Sequence, residues 1–268
     1  MLIVLVGVLV GLLLGLTGAG GGILAIPALT LGLGWTLVEA TPVALLAVGI
    51  SAAVGTLDGL RKGLVRYKAA LLMAVAGWIA SPLGLYLAKL LPGTVLMGLF
   101  GCVMMFISRR MYRRAQTACA QGEAQHVREK NCQVNPCTGR LDWNARCTTT
   151  LASIGATAGL LTGLLGVGGG FLIVPAFRKF SDVPMHGIVA TSLMVVALVS
   201  LGTVGHLLYQ GSSLSGDAVF FIGATLAGMI AGRLVAPKVS SQWMQQGFAV
   251  LCGVVSVLMI SKVLMGGL

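Results

Sequence analysis

The chain has 268 residues, 57% of them hydrophobic and only 9% charged, with a mean hydropathy of +0.96. Soluble domains carry about 25% charged residues, so the composition excludes a soluble globular protein and predicts a polytopic membrane protein built of helices. The net charge of +11 does not indicate a nucleic-acid partner: eight of the 18 Lys and Arg lie between Arg109 and Arg146 and most others in short loops, the distribution that sets membrane topology.

Met1 to Leu16 is apolar and has neither a basic leading region nor an obvious cleavage site, so it reads as a first membrane segment and not as a removed signal peptide. At 1.5 Å per residue it would be about 24 Å long, shorter than a hydrocarbon core of ~30 Å. The block Gly15-Leu16-Thr17-Gly18-Ala19-Gly20-Gly21-Gly22 then breaks the helix, and a still shorter apolar arm, Ile23 to Leu33, follows. Glycine in a helix interior costs roughly 1 kcal/mol relative to alanine. Two short arms around a glycine turn fit a re-entrant hairpin with its tip near mid-membrane; two closely spaced full spans also fit.

Gly34 to Glu39 brings the chain to a surface, and a span is predicted from Thr41 to Leu57, with Pro42 tolerated in its first turn. Asp58 to Lys68 carries Arg61, Lys62, Arg66 and Lys68 and is placed on the cytoplasmic side. Further spans run from Ala69 to Leu91, kinked near Pro82 with close packing at Gly84, and from Thr94 to Ser108. Arg109 to about Thr149 is a polar, basic cytoplasmic linker, a loop with partial helix, between two membrane halves, 1–108 and 150–268. Its cysteines, Cys119, Cys132, Cys137 and Cys147, are expected to be reduced thiols, without a disulfide framework and without the paired spacing of a zinc module.

The second half repeats the first. Leu151 to Leu165 leads into Gly163-Leu164-Leu165-Gly166-Val167-Gly168-Gly169-Gly170, which starts 148 residues after the first block, and Phe171 to Phe177 is the second short arm. Pro27 and Pro175 follow the two blocks at the same distance, Gly232 lies 148 residues after Gly84, and Ala190-Thr191 matches Ala40-Thr41. Spans are predicted over Ile188 to Leu208, Ala218 to Ala236 and Gln246 to Ile260. With Arg178-Lys179 and Arg233 inside, the two halves have opposite orientations and both termini lie outside. The expectation is an all-α polytopic membrane protein of two inverted-topology repeats, each a glycine-broken helix hairpin plus three spanning helices. Paired broken helices at the midplane are a secondary-transporter architecture.

The paired Gly-x-Gly-Gly-Gly blocks, Gly18 to Gly22 and Gly166 to Gly170, with Pro27, Pro175 and the two Ala-Thr starts, resemble the sulfite exporter TauE/SafE family. The second block is the closer match; Thr17 and Ala19 depart from the pattern in the first, and the cysteine-bearing linker lies outside the resemblance. The resemblance implies a transporter in the inner (plasma) membrane that moves sulfite, sulfoacetate or related small anions.

The residues agree with an anionic cargo. Short helices beginning at the breaks would offer free backbone N–H groups and a positive helix end, and glycine lets an oxyanion approach the backbone. The candidate binding set is Thr17, Gly18, Gly20, Gly21, Gly22, Thr41, Gly166, Gly168, Gly169, Gly170, Thr191 and Ser192, with Thr162 as a further hydroxyl. No span holds a central Lys or Arg, so the anion would be held weakly, as release requires. His206, at the outer end of a span, is the candidate for proton coupling, with an interfacial position beside Tyr209 as its alternative. Asp58 is expected to pair with Arg61 or Lys62, and Arg233 to snorkel to the cytoplasmic interface. Cys102 and Cys252 occupy similar places in the last span of each half, as packing residues or as thiols beside a path.

These features predict a secondary transporter of a small anion, an exporter of sulfite or an organosulfonate working by alternating access. An anion channel and a carrier of sulfur-free carboxylates are the alternatives. No nucleophile–base pair or metal cluster lies in the predicted spans, so neither an enzyme, a cofactor nor a metal site is expected. The partners are the bilayer and the anion; the specific anion, the direction of flux, the coupling ion and the oligomeric state stay open.

Overall fold

The computed structural model describes residues 2–18, 21–120, 132, 143–181, 183, 185–209, 216–235 and 241–264. These form ten α-helices and one 3-10 turn, with no β-strand among the described residues. Seven helices are long and apolar enough to cross a membrane.

In the first half, α1 (Leu2–Thr17) ends at Gly18, the 3-10 turn Gly21–Leu24 follows the break, and α2 (Ala25–Gly32) completes the hairpin. Eight residues of helix reach about 12 Å, so α2 is too short to span. The long helices are α3 (Leu37–Arg61), α4 (Tyr67–Leu90) and α5 (Gly93–Ala120). In the second half, α6 (Ala145–Leu165) ends at Gly166, and α7 (Gly170–Phe180), also too short to span, leads to α8 (Met185–Tyr209), α9 (Gly216–Val235) and α10 (Ser241–Leu264).

Two boundaries move from the sequence-based expectation for physical reasons. α3 starts at Leu37 because Thr36 and Glu39 form a reciprocal capping box: Glu39 N–H donates to Thr36 Oγ1, while Thr36 N–H donates to Glu39 Oε2. The basic run Arg109–Arg114 continues α5, and α6 begins at Ala145, so the partial helix expected in the linker is an extension of the two flanking spans. In an aqueous flank, charge does not stop a helix that has already begun, since propagation adds one hydrogen bond per residue.

Helix pairing follows small residues. Gly7, Gly11 and Gly15 of α1 face α9: an added Cβ would lie 2.8 Å from Ala224 Cβ at Gly7, 2.8 Å from Met229 N at Gly11 and 2.9 Å from Arg233 N at Gly15. Gly155, Gly159 and Gly163 of α6 face α4 in the same way, with added Cβ atoms 2.6 Å from Met73 Cα, 2.6 Å from the Gly77 carbonyl carbon and 2.9 Å from Leu85 N. Each α6 glycine lies 148 residues after its α1 counterpart, and Arg233 lies 148 residues after Leu85. Both pairs are parallel, since residue numbers rise together. Lipid gives helices no hydrophobic reason to associate, so backbone-close packing at glycine supplies much of the attraction.

The remaining long helices pair antiparallel. Gly49, Gly55 and Gly59 of α3 meet Ser200, Leu193 and Ala190 of α8. Ser256 Oγ of α10 donates to Gly101 O of α5, and Ser108 Oγ of α5 donates to Ala249 O of α10, each at 2.7 Å. Burial ranks the layers: 72% of the most apolar window of α8 and 61% of that of α3 are buried, against 28% for α5 and α10. The α3–α8 pair is therefore the centre, with α2 and α7 laid against it and α5–α10 outside. Leu71, Ile79, Leu83 and Tyr86 of α4 and Val219, Phe220 and Leu234 of α9 are exposed and form a lipid-facing surface.

Three sequence expectations are corrected. Cys132 and Cys147, expected as reduced thiols, form a disulfide; both are fully buried, and Cys132 N–H donates to Phe180 O at the end of α7. Burial against α6 and α7 holds the two sulfurs together, which the spacing along the chain does not reveal. Arg233 reaches across to α3 instead of snorkelling: it donates to Gly55 O and pairs with Asp58 Oδ2 at 3.3 Å. Asp58 also pairs with Lys62 at 3.0 Å, as expected. Cys102 is exposed on the outside of α5 while Cys252 is buried, so Cys102 does not line an internal path. Cys137 and Gly20 lie outside the described residues, and of Cys119 only its place in α5 is described.

Candidate functional site

The two glycine breaks meet at the middle of the bundle. An added Cβ at Gly22 would lie 3.3 Å from Val167 O and 3.0 Å from Val48 Cγ1; one at Gly166 would lie 2.8 Å from Ile26 Cδ1. Val48, on the central helix α3, also faces Gly168. Gly18, Gly21, Gly22, Gly166, Gly168, Gly169 and Gly170 are all buried.

The backbone at the breaks requires glycine. Gly18, Gly166, Gly168 and Gly169 have φ of 75°, 68°, 75° and 62°, a left-handed conformation that costs other residues roughly 1–2 kcal/mol. Gly166 caps α6, its N–H donating to Thr162 O at 2.8 Å. Gly169 is the N-cap of α7 and supplies no side-chain cap; its carbonyl accepts from Leu172 and Ile173 N–H, so the N–H groups of Gly170 and Phe171 are the ones without a helical acceptor. A buried helix N-terminus without a cap is positive and suited to an anion.

The predicted hydroxyls differ in what they meet. Thr41 flanks Gly166, with Oγ1 2.9 Å from the position of an added Cβ, and Thr162 Oγ1 stands at the same distance from that of Gly169. Val189 occupies the place against Gly18 that Thr41 takes against Gly166, 148 residues apart. Thr17, Thr162, Thr191 and Ser192 donate to the carbonyls of Leu13, Ala158, Gly187 and Val189. Thr191 Oγ1 also accepts from Arg66 N–H at 3.1 Å, which ties it to the α3–α4 loop and away from the breaks.

His206 is exposed and lines a cavity of about 450 Å³ between α4 and α8, with Trp78, Ser81, Pro82 and Thr203. It lies six residues beyond Ser200 on α8, about 9 Å along the axis, and so stands apart from the glycine breaks. Ser81 and Thr203 share a buried hydrogen bond of 2.8 Å at the base of this cavity. Among the described residues no three His, Cys, Asp or Glu come together as a metal-binding set.

Sequence reasoning missed Ser51 and Ser200. Both are fully buried on the central pair, and among the described residues neither hydroxyl has a hydrogen-bond partner. Ser200 Oγ lies 3.1 Å from the position of a Cβ at Gly168. Nothing in the local sequence distinguishes them from packing serines; only the helix crossing does.

Comparison with known proteins gives a consistent picture. The family model described as Sulfite exporter TauE/SafE matches residues 3–259. A "Probable membrane transporter protein" of Xylella fastidiosa strain Temecula1 is 30% identical over 239 residues, covering 88% of this chain and 84% of that protein. The "Probable membrane transporter protein YunE" of Bacillus subtilis is 28% identical over 217 residues, with 77% and 78% coverage. No solved structure matches.

Proposed function

This chain belongs to the sulfite exporter TauE/SafE family and is a multi-pass membrane transporter; we propose that its cargo is a small oxyanion, sulfite or an organosulfonate, held at the paired glycine breaks. The observation that carries this reading is the meeting of two buried breaks, at Gly21–Gly22 and at Gly166–Gly170, beside the start of α7. Among the described residues no Lys or Arg side chain is a nearest neighbour of Gly18, Gly22, Gly166, Gly168 or Gly169, so binding rests on backbone dipoles, strong enough to select an anion and weak enough to release it.

The mechanism is alternating access between two inverted halves, directed outward, in the plasma membrane. Support comes from helix directions: α3 and its counterpart α8 run antiparallel, as do α5 and α10, while α1–α9 and α4–α6 repeat one parallel interface. Counterparts that pack antiparallel suit a pseudo-two-fold axis in the membrane plane. In this reading the Lys62, Arg109, Arg178 and Arg233 ends share the cytoplasmic face by their charge, the linker joins the halves there, and both termini lie outside. On this reading the protein is not an enzyme, and His206 is the candidate for coupling flux to protons.

The test is uptake by proteoliposomes of labelled sulfite, thiosulfate, sulfoacetate and a plain carboxylate, with and without a pH gradient. Saturable flux of a sulfur oxyanion that is lost in folded Gly168→Ala supports the site. Unsaturable, voltage-driven flux would favour a channel. Flux indifferent to Gly168→Ala would reduce the glycines to packing elements.

A further inference from the structure

We propose that Ser200 and Ser51 donate hydrogen bonds to the transported oxyanion, completing on the central helices the site that the Gly168–Gly170 break begins; this rests on the glycine-break reading above. A hydroxyl inside a membrane helix normally donates to a carbonyl one turn back, and its neighbours here do so. Thr56 donates to Ala52 O, Thr203 to Val199 O and Thr225 to Phe221 O, all buried and all at 2.7–2.8 Å. Ser51 and Ser200 are equally buried, at 0% exposure, and take no partner among the described residues. A buried hydroxyl left unpaired costs its full desolvation, and such a group in a native fold needs an explanation.

Their positions supply one. Ser200 follows Val196 by one turn on α8, and Ser51 follows Val48 by one turn on α3, so each shares a helix face with a valine. Both valines lie against Gly168: an added Cβ there would be 3.4 Å from Val196 Cγ1, 3.5 Å from Val48 Cγ1 and 3.1 Å from Ser200 Oγ. Ser200 also stands at the α3–α8 crossing, where an added Cβ on Gly49 would lie 3.1 Å from its Cβ. Ser200 thus lies beside Gly168 just before the start of α7, and Ser51 lies one turn along the Val48 face of α3.

Two neutral hydroxyl donors with backbone N–H groups and no cation suit a compact oxyanion whose several oxygens can each accept. Sulfite and the sulfonate head group share that chemistry. A carboxylate offers two oxygens in one plane and would leave a donor unpaired, so the serines also supply discrimination between these classes.

The test compares Ser200→Ala, Ser51→Ala and Gly168→Ala with the parent, reading [35S]sulfite uptake in proteoliposomes and the melting temperature in detergent with and without sulfite. Each serine substitution removes an unpaired hydroxyl, so the ligand-free melting temperature stays level or rises, while KM for sulfite rises about tenfold and the sulfite-induced stabilisation shrinks. A packing role would move these the other way, lowering the ligand-free melting temperature with KM unchanged. KM within twofold of the parent in both serine variants, with flux lost in Gly168→Ala, overturns the serine assignment and leaves the glycine site standing. Sulfite uptake unaffected by all three substitutions, or no saturable sulfite response in the parent, overturns both.

Discussion

Gly159→Ala probes the packing that holds the transporter together. The added Cβ would lie 2.6 Å from the carbonyl carbon of Gly77 on α4, where carbon atoms rest comfortably at about 3.5–4.0 Å. The obstacle is backbone, which no rotamer change can move, so α6 and α4 must part by about 1 Å. Overpacking of this kind costs about 1–3 kcal/mol, against a gain of up to about 1 kcal/mol from replacing glycine by alanine in a helix. Gly98→Ala on α5 is the control, because nothing lies within 4 Å of its added Cβ and only the favourable part remains. Gly11→Ala should behave like Gly159→Ala, since it meets α9 in the same geometry. Equilibrium unfolding in mixed micelles should place Gly159→Ala and Gly11→Ala about 1–3 kcal/mol below Gly98→Ala. Equal stability of Gly159→Ala and Gly98→Ala would refute the close-packed interface.

Three further outcomes follow from local contacts. Thr36→Ala removes the α3 capping box and should cost about 0.5–2 kcal/mol in the same unfolding assay, with sulfite transport retained; an unchanged midpoint would mean that the cap contributes nothing. Arg233→Gln loses the bond to Gly55 O and the ion pair with half-exposed Asp58, for a loss of about 1–2 kcal/mol. That loss should persist in 1 M salt, because a solvent-screened pair contributes little; disappearance in salt would assign it to Asp58 instead. Peptide mapping without reduction should recover Cys132 linked to Cys147, and the Cys132→Ser variant should unfold about 3 kcal/mol more readily, as expected for closing a 15-residue loop. Recovery of both cysteines as free thiols would remove the link between this segment and α7.

Hydropathy and glycine punctuation were enough to place every long helix to within a few residues, save the extensions of α5 and α6. Both are local properties: a run of apolar residues partitions into lipid wherever it lies in the chain, and a Gly-Gly-Gly turn breaks a helix whatever surrounds it. The repeat at 148 residues and the two breaks were legible for the same reason, and so was the pairing of Asp58 with Lys62, one turn away. Which face of each helix turns inward was not. In a bilayer the interior and the lipid are both apolar, so Leu71 on the lipid side of α4 and Met73 in its core look alike in sequence. The Gly7-x3-Gly11-x3-Gly15 and Gly155-x3-Gly159-x3-Gly163 stripes mark contact faces, yet only the assembled bundle assigns α9 to one and α4 to the other. Partner choice, the Cys132–Cys147 link, the reach of Arg233 to α3 and the convergence of Ser200 on Gly168 all join residues far apart in the chain. Such contacts depend on how helix surfaces fit together, a property of the packed fold that no local stretch of residues contains.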